Sequence, residues 1–200
     1  KAIHKTGGSG DASGECSSSD LDACEKACND AKDKDDGSAA GVCSSYAHAL
    51  VQKGKADKAA PVLQKLCDDK PGDACDELGS LYAFSSKATR NEKKAATLFQ
   101  RACDADVMSG CAHLGAAMEL GFGDGNAAKA VPLYQKACDK GDGRGCVYLA
   151  AATAAGRGTA PDQAKAESLR KKAKSDLDKR CKEDDAEACA LGGVVRELSG

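Results

Sequence analysis

Apolar and polar residues recur along most of the chain with the period of an α-helix. In three segments that each end in a cysteine, apolar residues occupy positions i, i+3, i+4, i+7 and i+8. This spacing gives the continuous apolar stripe that an amphipathic helix buries, so the pattern predicts helices rather than strands. The aligned columns are Ala59, Ala95 and Ala130, then Val62, Leu98 and Leu133, then Leu63, Phe99 and Tyr134, and finally Leu66, Ala102 and Ala137.

These helical segments belong to a repeat that is marked by pairs of cysteines with seven residues between them. The interval from Cys67 to Cys103 is 36 residues and the interval from Cys103 to Cys138 is 35 residues, which is the length of a helix-turn-helix repeat. One unit of this length cannot bury its own apolar stripe, so consecutive units must stack on one another. The sequence therefore predicts an all-α fold, a right-handed α/α solenoid.

Capping residues fix the starts of several predicted helices. Asn and Asp side chains accept hydrogen bonds from the free amides of a first helical turn. Such residues precede four of the apolar segments, at Asp57, Asn91, Asn126 and Asp162. After a first helix at 21–31, the predicted helices span 41–53, 57–69, 73–86, 92–105, 109–120, 127–140, 144–155, 162–184 and 187–198.

Both ends of the array differ from its middle, as expected for units that cover an otherwise exposed core. Residues 16–38 form the predicted N-terminal cap, and residues 162–200 form the C-terminal cap, whose long helix exceeds its counterparts by about two turns. Residues 1–15 are rich in Gly and Ser and lack an apolar period, so we interpret them as a disordered tether or a cloning remnant. The remainder, 16–200, is predicted to be one continuous solenoid.

The charge is nearly balanced, with 29 Lys and Arg residues against 31 Asp and Glu residues. No basic region indicates nucleic acid or an anionic membrane as a partner. No apolar run approaches the ~20 residues that a membrane span requires. We therefore expect a soluble monomer without a transmembrane segment, which could be tethered to an envelope.

Twelve cysteines and an aromatic content of 4% indicate that covalent bonds stabilise helices whose contacts bury little apolar area. In the chain-entropy model, a disulfide across such a short loop removes on the order of 2 to 3 kcal/mol of unfolded-state freedom. Structural zinc sites normally pair cysteines two to four residues apart with further Cys or His ligands, and the chain has only His4, His48 and His113. We therefore expect no metal, no cofactor and six disulfides. The expected pairs are Cys16–Cys24, Cys28–Cys43, Cys67–Cys75, Cys103–Cys111, Cys138–Cys146 and Cys181–Cys189.

The cysteines also bear on where the protein works. Disulfides persist in oxidising compartments, so we expect a bacterial protein of the periplasm, the cell surface or the medium. The chain begins without Met and contains no signal peptide, so we expect a processed or truncated form.

An acidic insertion at residues 31–38 has a superficial likeness to a calcium-binding loop. With Gly37 in the sixth position of an EF-hand, the first and third ligand positions fall on Lys32 and Lys34. An EF-hand requires oxygen donors at those positions, so we interpret the insertion as a solvated acidic loop.

Two stretches of the repeat carry a family resemblance: GRGTAPDQAKAESLRKKA at 156–173 and AVPLYQKACDKGDGRGCVYLA at 130–150. They resemble the Sel1-like repeat family, a branch of the tetratricopeptide-like solenoids. The paired cysteines make the chain most similar to the disulfide-stapled cysteine-rich members known from Helicobacter. The resemblance implies disulfides between adjacent helices and an exported adaptor or scaffold that binds a protein or peptide on the concave face.

The resemblance also leaves two other functions open. Some cysteine-rich members are associated with penicillin binding or weak β-lactamase activity, so a hydrolase acting on β-lactams or peptidoglycan fragments is an alternative. A serine β-lactamase needs S-x-x-K on a helix, and Ser168 and Lys171 have that spacing, while Lys5-Thr6-Gly7 matches a second motif. Chance matches of this kind are expected in a chain rich in Ser and Lys, so we expect no catalytic residues. A structural spacer is the third possibility.

The candidate binding surface follows from the register of the repeat. In tetratricopeptide-like solenoids the first helix of each repeat lines the concave face, and the Leu78-Gly79 and Leu114-Gly115 dipeptides set that register here. Small side chains would let an extended peptide backbone approach, with carboxylates for a basic or amide-rich ligand; alternatively they serve close helix packing. The candidates are Ser44, His48, Asp73, Asp76, Ser80, Ala112, Ala116, Glu119, Val147 and Ala151.

Overall fold

A computed structural model describes residues 19–32, 39–84, 90–122, 126–183 and 185–198. These residues form ten α-helices and no strand, which confirms the predicted all-α fold. The observed helix ends lie within two residues of the predicted ones. The helices are α1 (Leu21–Lys32), α2 (Ala39–Gln52), α3 (Ala56–Asp69), α4 (Asp73–Phe84), α5 (Glu92–Asp104), α6 (Met108–Glu119), α7 (Ala127–Asp139), α8 (Gly143–Ala155), α9 (Gln163–Lys182) and α10 (Ala186–Leu198).

The chain divides into two compact units, residues 1–62 and residues 63–200. In the first unit, α1 packs on α2. In the second unit, α4 packs on α5, α6 on α7 and α8 on α9, and the helices α4, α6, α8 and α10 also contact one another in sequence. We call α4, α6, α8 and α10 the first helices, and α5, α7 and α9 the second helices. The first helices therefore form a continuous layer, against which the second helices pack.

Side-chain caps start the second helices. Asn91, Asn126 and Asp162 precede α5, α7 and α9 as predicted, and each accepts from the backbone N–H three residues later, at 2.9 to 3.0 Å. The predicted cap Asp57 lies inside the first turn of α3, because that helix begins one residue before it. Its carboxylate there favours the helix through the dipole rather than as a cap.

Five of the six predicted disulfides are present, with Cα–Cα distances of 4.4 to 4.8 Å. The bonds from Cys67 onward each tie the end of one helix to the first turn of the next helix. Cys24 is buried in α1, and its predicted partner Cys16 lies outside the described residues, as do the predicted tether at 1–15 and residues 33–38 of the acidic insertion. The disulfides present are Cys28–Cys43, Cys67–Cys75, Cys103–Cys111, Cys138–Cys146 and Cys181–Cys189.

Glycines let the first and second helices of a repeat approach closely. A Cβ on Gly79 of α4 would lie 2.7 Å from the ring of Phe99 in α5, and a Cβ on Gly115 of α6 would lie 2.5 Å from the ring of Tyr134 in α7. Both aromatic side chains are almost completely buried. Each glycine, which follows the second cysteine of its pair by four residues, thus forms a notch that holds one ring. We call these contacts, together with the neighbouring disulfides, the helix joints.

Candidate functional site

The first helices of the second unit meet at a group of charged and polar side chains that is largely buried. Each of these helices contributes at least one member, within four residues of its disulfide-bonded cysteine. The disulfides therefore fix the helical turns that carry the group. This polar cluster consists of Asp76, Ser109, His113, Asp142, Arg144, Tyr148, Arg180, Asp185 and Glu187.

His113 of α6 lies at the centre of the polar cluster and is 5% exposed. Its Nδ1 atom is 2.7 Å from Oδ1 of Asp76 in α4, and its Nε2 atom is 3.1 Å from Oε2 of Glu187 in α10. The ring also packs on Phe99, with 5.2 Å between the ring centroids. One side chain thus joins three first helices, and the contact with Glu187 spans 74 residues of sequence.

Arg144 of α8 connects the same carboxylate to a second ion pair. Its Nε atom donates to Oε2 of Glu187 at 2.6 Å, and its Nη2 atom donates to Asp185. Arg180 of α9 also donates to Asp185, at 3.1 Å, and to Oδ2 of Asp142, at 3.2 Å. Asp142 and Asp185 additionally cap α8 and α10, because each accepts from the backbone N–H three residues later.

The electrostatics of the polar cluster favour its charged form at neutral pH. Burial alone would lower the pKa of His113, but the carboxylates of Asp76 and Glu187 raise that pKa to about 10. Burial acts to raise the pKa of Glu187, yet its hydrogen bonds and its attraction to His113 and Arg144 lower it below the ordinary range. Burial and the Glu187 carboxylate together raise the pKa of Tyr148. His113 is therefore an imidazolium that donates from both ring nitrogens.

This hydrogen bonding limits what chemistry the polar cluster can perform. The Ser109 hydroxyl donates to Oδ2 of Asp76 at 2.7 Å, and the Tyr148 hydroxyl donates to Oε1 of Glu187 at 2.7 Å. Both nitrogens of His113 already have carboxylate partners. A general base needs a lone pair within reach of the proton that it removes, and the imidazolium has none. The arrangement fits a structural clamp between repeats.

The polar cluster was not predicted, because the expected helix faces rest on the apolar columns of the repeat. His113 is buried at the centre of that cluster. The available signal lay in two polar columns, two residues before and two residues after the second cysteine of each pair. They read Asp73, Ser109, Arg144, Glu187 and Glu77, His113, Tyr148, Leu191, and five of these residues belong to the polar cluster.

The predicted binding residues differ widely in accessibility. Asp76, Ala112 and Val147, one residue after the cysteine, are all buried, and Asp76 belongs to the polar cluster. One turn further on, Ser80 and Ala116 are half-buried and Ala151 is exposed. Because α4, α6 and α8 are neighbours in the layer, these three positions lie on consecutive helices.

Four further candidates lie outside that column. Asp73 is exposed at the first turn of α4, and Glu119 is half-buried near the end of α6, where Arg157 donates to it at 3.3 Å. Ser44 and His48 belong to the first unit; Ser44 is half-buried, and His48 is exposed with its Nε2 atom 3.0 Å from the amide nitrogen of Gln52.

Of the residues considered for a β-lactamase-like site, the structure describes the two on α9. Ser168 is exposed on α9, and the ammonium of Lys171 pairs with Oε1 of Glu167 at 2.6 Å. Lys5, Thr6 and Gly7 lie outside the described residues. Within the described ranges, no group of His, Cys, Asp and Glu side chains could hold a metal ion.

No protein-family model and no curated protein matches the chain. Among solved structures, the chain is similar to a Sel1 repeat protein from Oxalobacter formigenes, with 24% identity over 58% of this chain and 89% of that one, and a TM-score of 0.53. It is also similar to a protective antigen of uropathogenic Escherichia coli with an SLR fold, at 21% identity over 68% of this chain, 33% of that one and a TM-score of 0.56. Cysteine-rich protein B of Helicobacter pylori aligns at 26% identity over 68% and 94% of the two chains, with a TM-score of 0.46.

The first two similarities confirm the fold. The chain has the α/α solenoid architecture of Sel1 repeat proteins, and the resemblance found in the sequence is confirmed at that level. Among the helices of the described ranges, none is long and apolar enough to cross a membrane.

Proposed function

We propose that the chain is an exported scaffold that binds a protein or peptide on the surface of its first helices, the concave face in our interpretation. The observation that carries this proposal is the column of small side chains Ser80, Ala116 and Ala151, which recurs once per repeat on the accessible side of neighbouring helices. A surface with a regular repeat suits a ligand that is itself regular, and an extended peptide is such a ligand.

The spacing of the column supports a peptide. Packed helices lie about 8 to 10 Å apart, and an extended chain advances about 3.3 Å per residue. Each first helix thus corresponds to roughly three residues of an extended ligand. With small side chains at Ser80, Ala116 and Ala151, a ligand backbone can reach the helices without displacing a large side chain.

The charge next to the column favours a basic or amide-rich ligand. Asp73 is exposed at the start of α4, and Glu119 is half-buried at the end of α6. The contact between Glu119 and Arg157, at 3.3 Å and on the surface, is of a kind that contributes little free energy. A ligand with Lys, Arg, Asn or Gln side chains can replace Arg157 at that carboxylate.

The disulfides support export of the scaffold. Five disulfides join the described helices, and such bonds persist in oxidising compartments. We therefore propose that the protein works in the periplasm, at the cell surface or in the medium.

Substitutions in the column test this function directly. Ser80→Trp and Ala116→Trp place an indole on the proposed surface, and Ala164→Trp places one on the exposed side of α9 as a matched control. Partners captured by the wild-type protein from the envelope fraction of the source organism should be lost with the first two variants and retained with the control. Retention of the same partners by Ser80→Trp and Ala116→Trp would refute the proposal.

A further inference from the structure

The exposed large apolar side chains of the described residues lie on one side of the first helices. They occupy two positions, five and nine residues after the second cysteine of a pair, which are one helical turn apart on the same side of a helix. These side chains are 45 to 66% exposed, and within the described ranges no other large apolar side chain is exposed to a comparable degree. They are Phe84 of α4, Leu120 at the C-terminus of α6, and Val194 and Leu198 of α10.

Their regular placement distinguishes these side chains from the scattered apolar residues of an ordinary protein surface. The nearer position is that of the Ser80, Ala116 and Ala151 column, so the apolar side chains extend the proposed binding surface by one helical turn. In α8 the further position holds Ala155, which is exposed as well. Because the first helices contact one another in sequence, the further position forms a line across the layer, which we call the apolar row. The apolar row consists of Phe84, Leu120, Ala155 and Leu198.

The spacing of the apolar row selects the conformation of an extended ligand. Packed helices lie about 8 to 10 Å apart. In a β-strand every second side chain faces the same side, so side chains that face the row would be about 6.6 or 13 Å apart. A polyproline II helix has three residues per turn and a rise of about 3.1 Å, so every third side chain returns to the same side after about 9.3 Å. One apolar side chain per first helix therefore matches polyproline II.

The charge of the same helices favours a basic ligand. Helices α4 and α6 contain no Lys or Arg and four carboxylates, three of them outside the polar cluster. Glu119 directly precedes Leu120 of the apolar row, and the buried Tyr134 hydroxyl is hydrogen-bonded to its carboxylate. The Glu119 side chain is 19% exposed, whereas that of its cation, Arg157, is 46% exposed. Glu119 is thus a carboxylate that the protein holds in position and that a ligand cation can reach.

Building on the function proposed above, we propose that the partner presents a basic polyproline II segment with an apolar side chain at every third position. Each apolar side chain packs on one member of the apolar row, beside the small residues of the column. A Lys or Arg side chain of the segment pairs with Glu119 in place of Arg157. A polyproline II segment is largely preformed, so little conformational entropy is lost when it binds a shallow surface.

The experiment uses the full chain and a synthetic peptide as the probe. A fluorescein-labelled peptide of four Leu-Pro-Lys units places a leucine at every third residue of a polyproline II segment, and we expect saturable binding by fluorescence anisotropy. A peptide of the same composition, with its leucines two and four residues apart, should bind at least fivefold more weakly, because fewer leucines reach the row. Four Leu-Pro-Glu units should not bind, because their charge is repelled by the carboxylates of α4 and α6.

Variants of the protein locate the peptide on the apolar row. Ala155→Leu supplies a large side chain at the α8 position and should strengthen binding at least threefold. Ala164→Leu adds the same side chain at an exposed position of α9 and should bind as the wild type does. Leu120→Ser should weaken binding at least fivefold while leaving the melting temperature unchanged, since Leu120 is 64% exposed.

Three results would overturn the polyproline II ligand. They are no saturable binding of the Leu-Pro-Lys peptide, equal binding of the respaced peptide, and equal effects of Ala155→Leu and Ala164→Leu. The scaffold function can be judged separately. Loss of the captured partners with Ser80→Trp and Ala116→Trp, together with no binding of the Leu-Pro-Lys peptide, would retain the scaffold and reject this ligand. Retention of those partners would refute the scaffold itself.

Discussion

The helix joints and the polar cluster hold the same first helices in place by different physics. At a joint, an aromatic ring of the second helix fills a glycine notch beside a disulfide, as Tyr134 does at Gly115. In the polar cluster, an imidazolium and a guanidinium share the Glu187 carboxylate between helices. The joints are covalent and apolar, and they occur in two successive repeats, at Gly79 and Gly115. The polar cluster is charged and occurs once among the described residues.

This difference shows how far apart in the sequence two residues can be and still hold repeats of one array together. In solenoids each repeat normally contacts only its neighbours, so stability is a sum of local terms. Gly115 and Tyr134 are 19 residues apart and obey that rule. His113 and Glu187 are 74 residues apart, because their contact passes over α8 to reach α10. The polar cluster therefore joins α6 directly to α10, whereas each helix joint connects only helices that are adjacent in the chain.

Reduction of the disulfides should lower the free energy of unfolding more than any other change, because it breaks the covalent bond at every joint at once. Each bond across an eight-residue separation contributes on the order of 2 to 3 kcal/mol in the chain-entropy model. Their sum is comparable to the 5–15 kcal/mol that stabilises a typical domain. We expect cooperative loss of helical circular dichroism at 25 °C after reduction. Retention of a native-like melting transition in the fully reduced protein would show that the joints do not need the covalent bonds.

Removal of Arg144 should have the next largest effect, because its buried guanidinium is shared by the half-buried carboxylates of Asp185 and Glu187. Arg144→Met should lower the free energy of unfolding by about 1.5 to 3 kcal/mol, the range for hydrogen bonds to charged groups. Arg196→Met removes an arginine that contacts Asp178 on the surface and should produce no measurable change. Urea denaturation of both variants measures the difference. Equal stabilities would mean that the polar cluster contributes no more than a surface pair.

A single methyl group tests the apolar joint. Gly115→Ala places a Cβ 2.5 Å from the Tyr134 ring and should destabilise the protein by about 1 to 3 kcal/mol through overpacking. Gly41→Ala adds the same methyl group where no described atom lies within 4 Å, and should be neutral or stabilising by up to about 1 kcal/mol. Thermal unfolding of the two variants should therefore shift in opposite directions or by clearly different amounts. Equal shifts would contradict the close approach at Gly115.

The polar cluster should stabilise the folded protein less as the pH rises. The pKa of His113 is raised from 6.5 to about 10 in the folded protein, so its contribution is fully present below pH 6.5 and is lost as the pH rises to 10. The free energy of unfolding should fall by up to about 1.4 kcal/mol per pH unit in that window. His113→Gln should remove this slope. An identical slope in the variant, measured by urea denaturation, would assign it to other groups.

The repeat and its helices could be predicted because their signals are local and recur. Apolar columns that include Phe99 and Tyr134 marked the helix faces, and the cysteine spacing marked the joints. Each repeat provided an independent reading of the same pattern, so the observed helix ends fall close to the predicted ones. Asp57 failed as a cap because α3 extends one residue further than its side chain suggested.

The polar cluster could not be predicted from the same columns, because its members differ from repeat to repeat. Nothing about His113 alone indicates that Glu187 lies beside it, since that proximity depends on how α6, α8 and α10 stack. The predicted binding positions Ala112 and Val147 are buried for the same reason, because the close packing of the first helices leaves less of each helix accessible than an isolated repeat would. Local pattern specifies each helix face, and stacking decides which part of that face remains open.

The ionisation state of His113 tests the central claim of this account most directly, because the clamp between the first helices requires an imidazolium. Nuclear magnetic resonance of the imidazole nitrogens can follow that ring through a pH titration of the folded protein, with the exposed His48 as an internal reference. We predict that His113 keeps both ring protons at pH 8.5 and titrates near pH 10. A midpoint near 6.5, or a neutral ring at pH 8.5, would contradict the clamp.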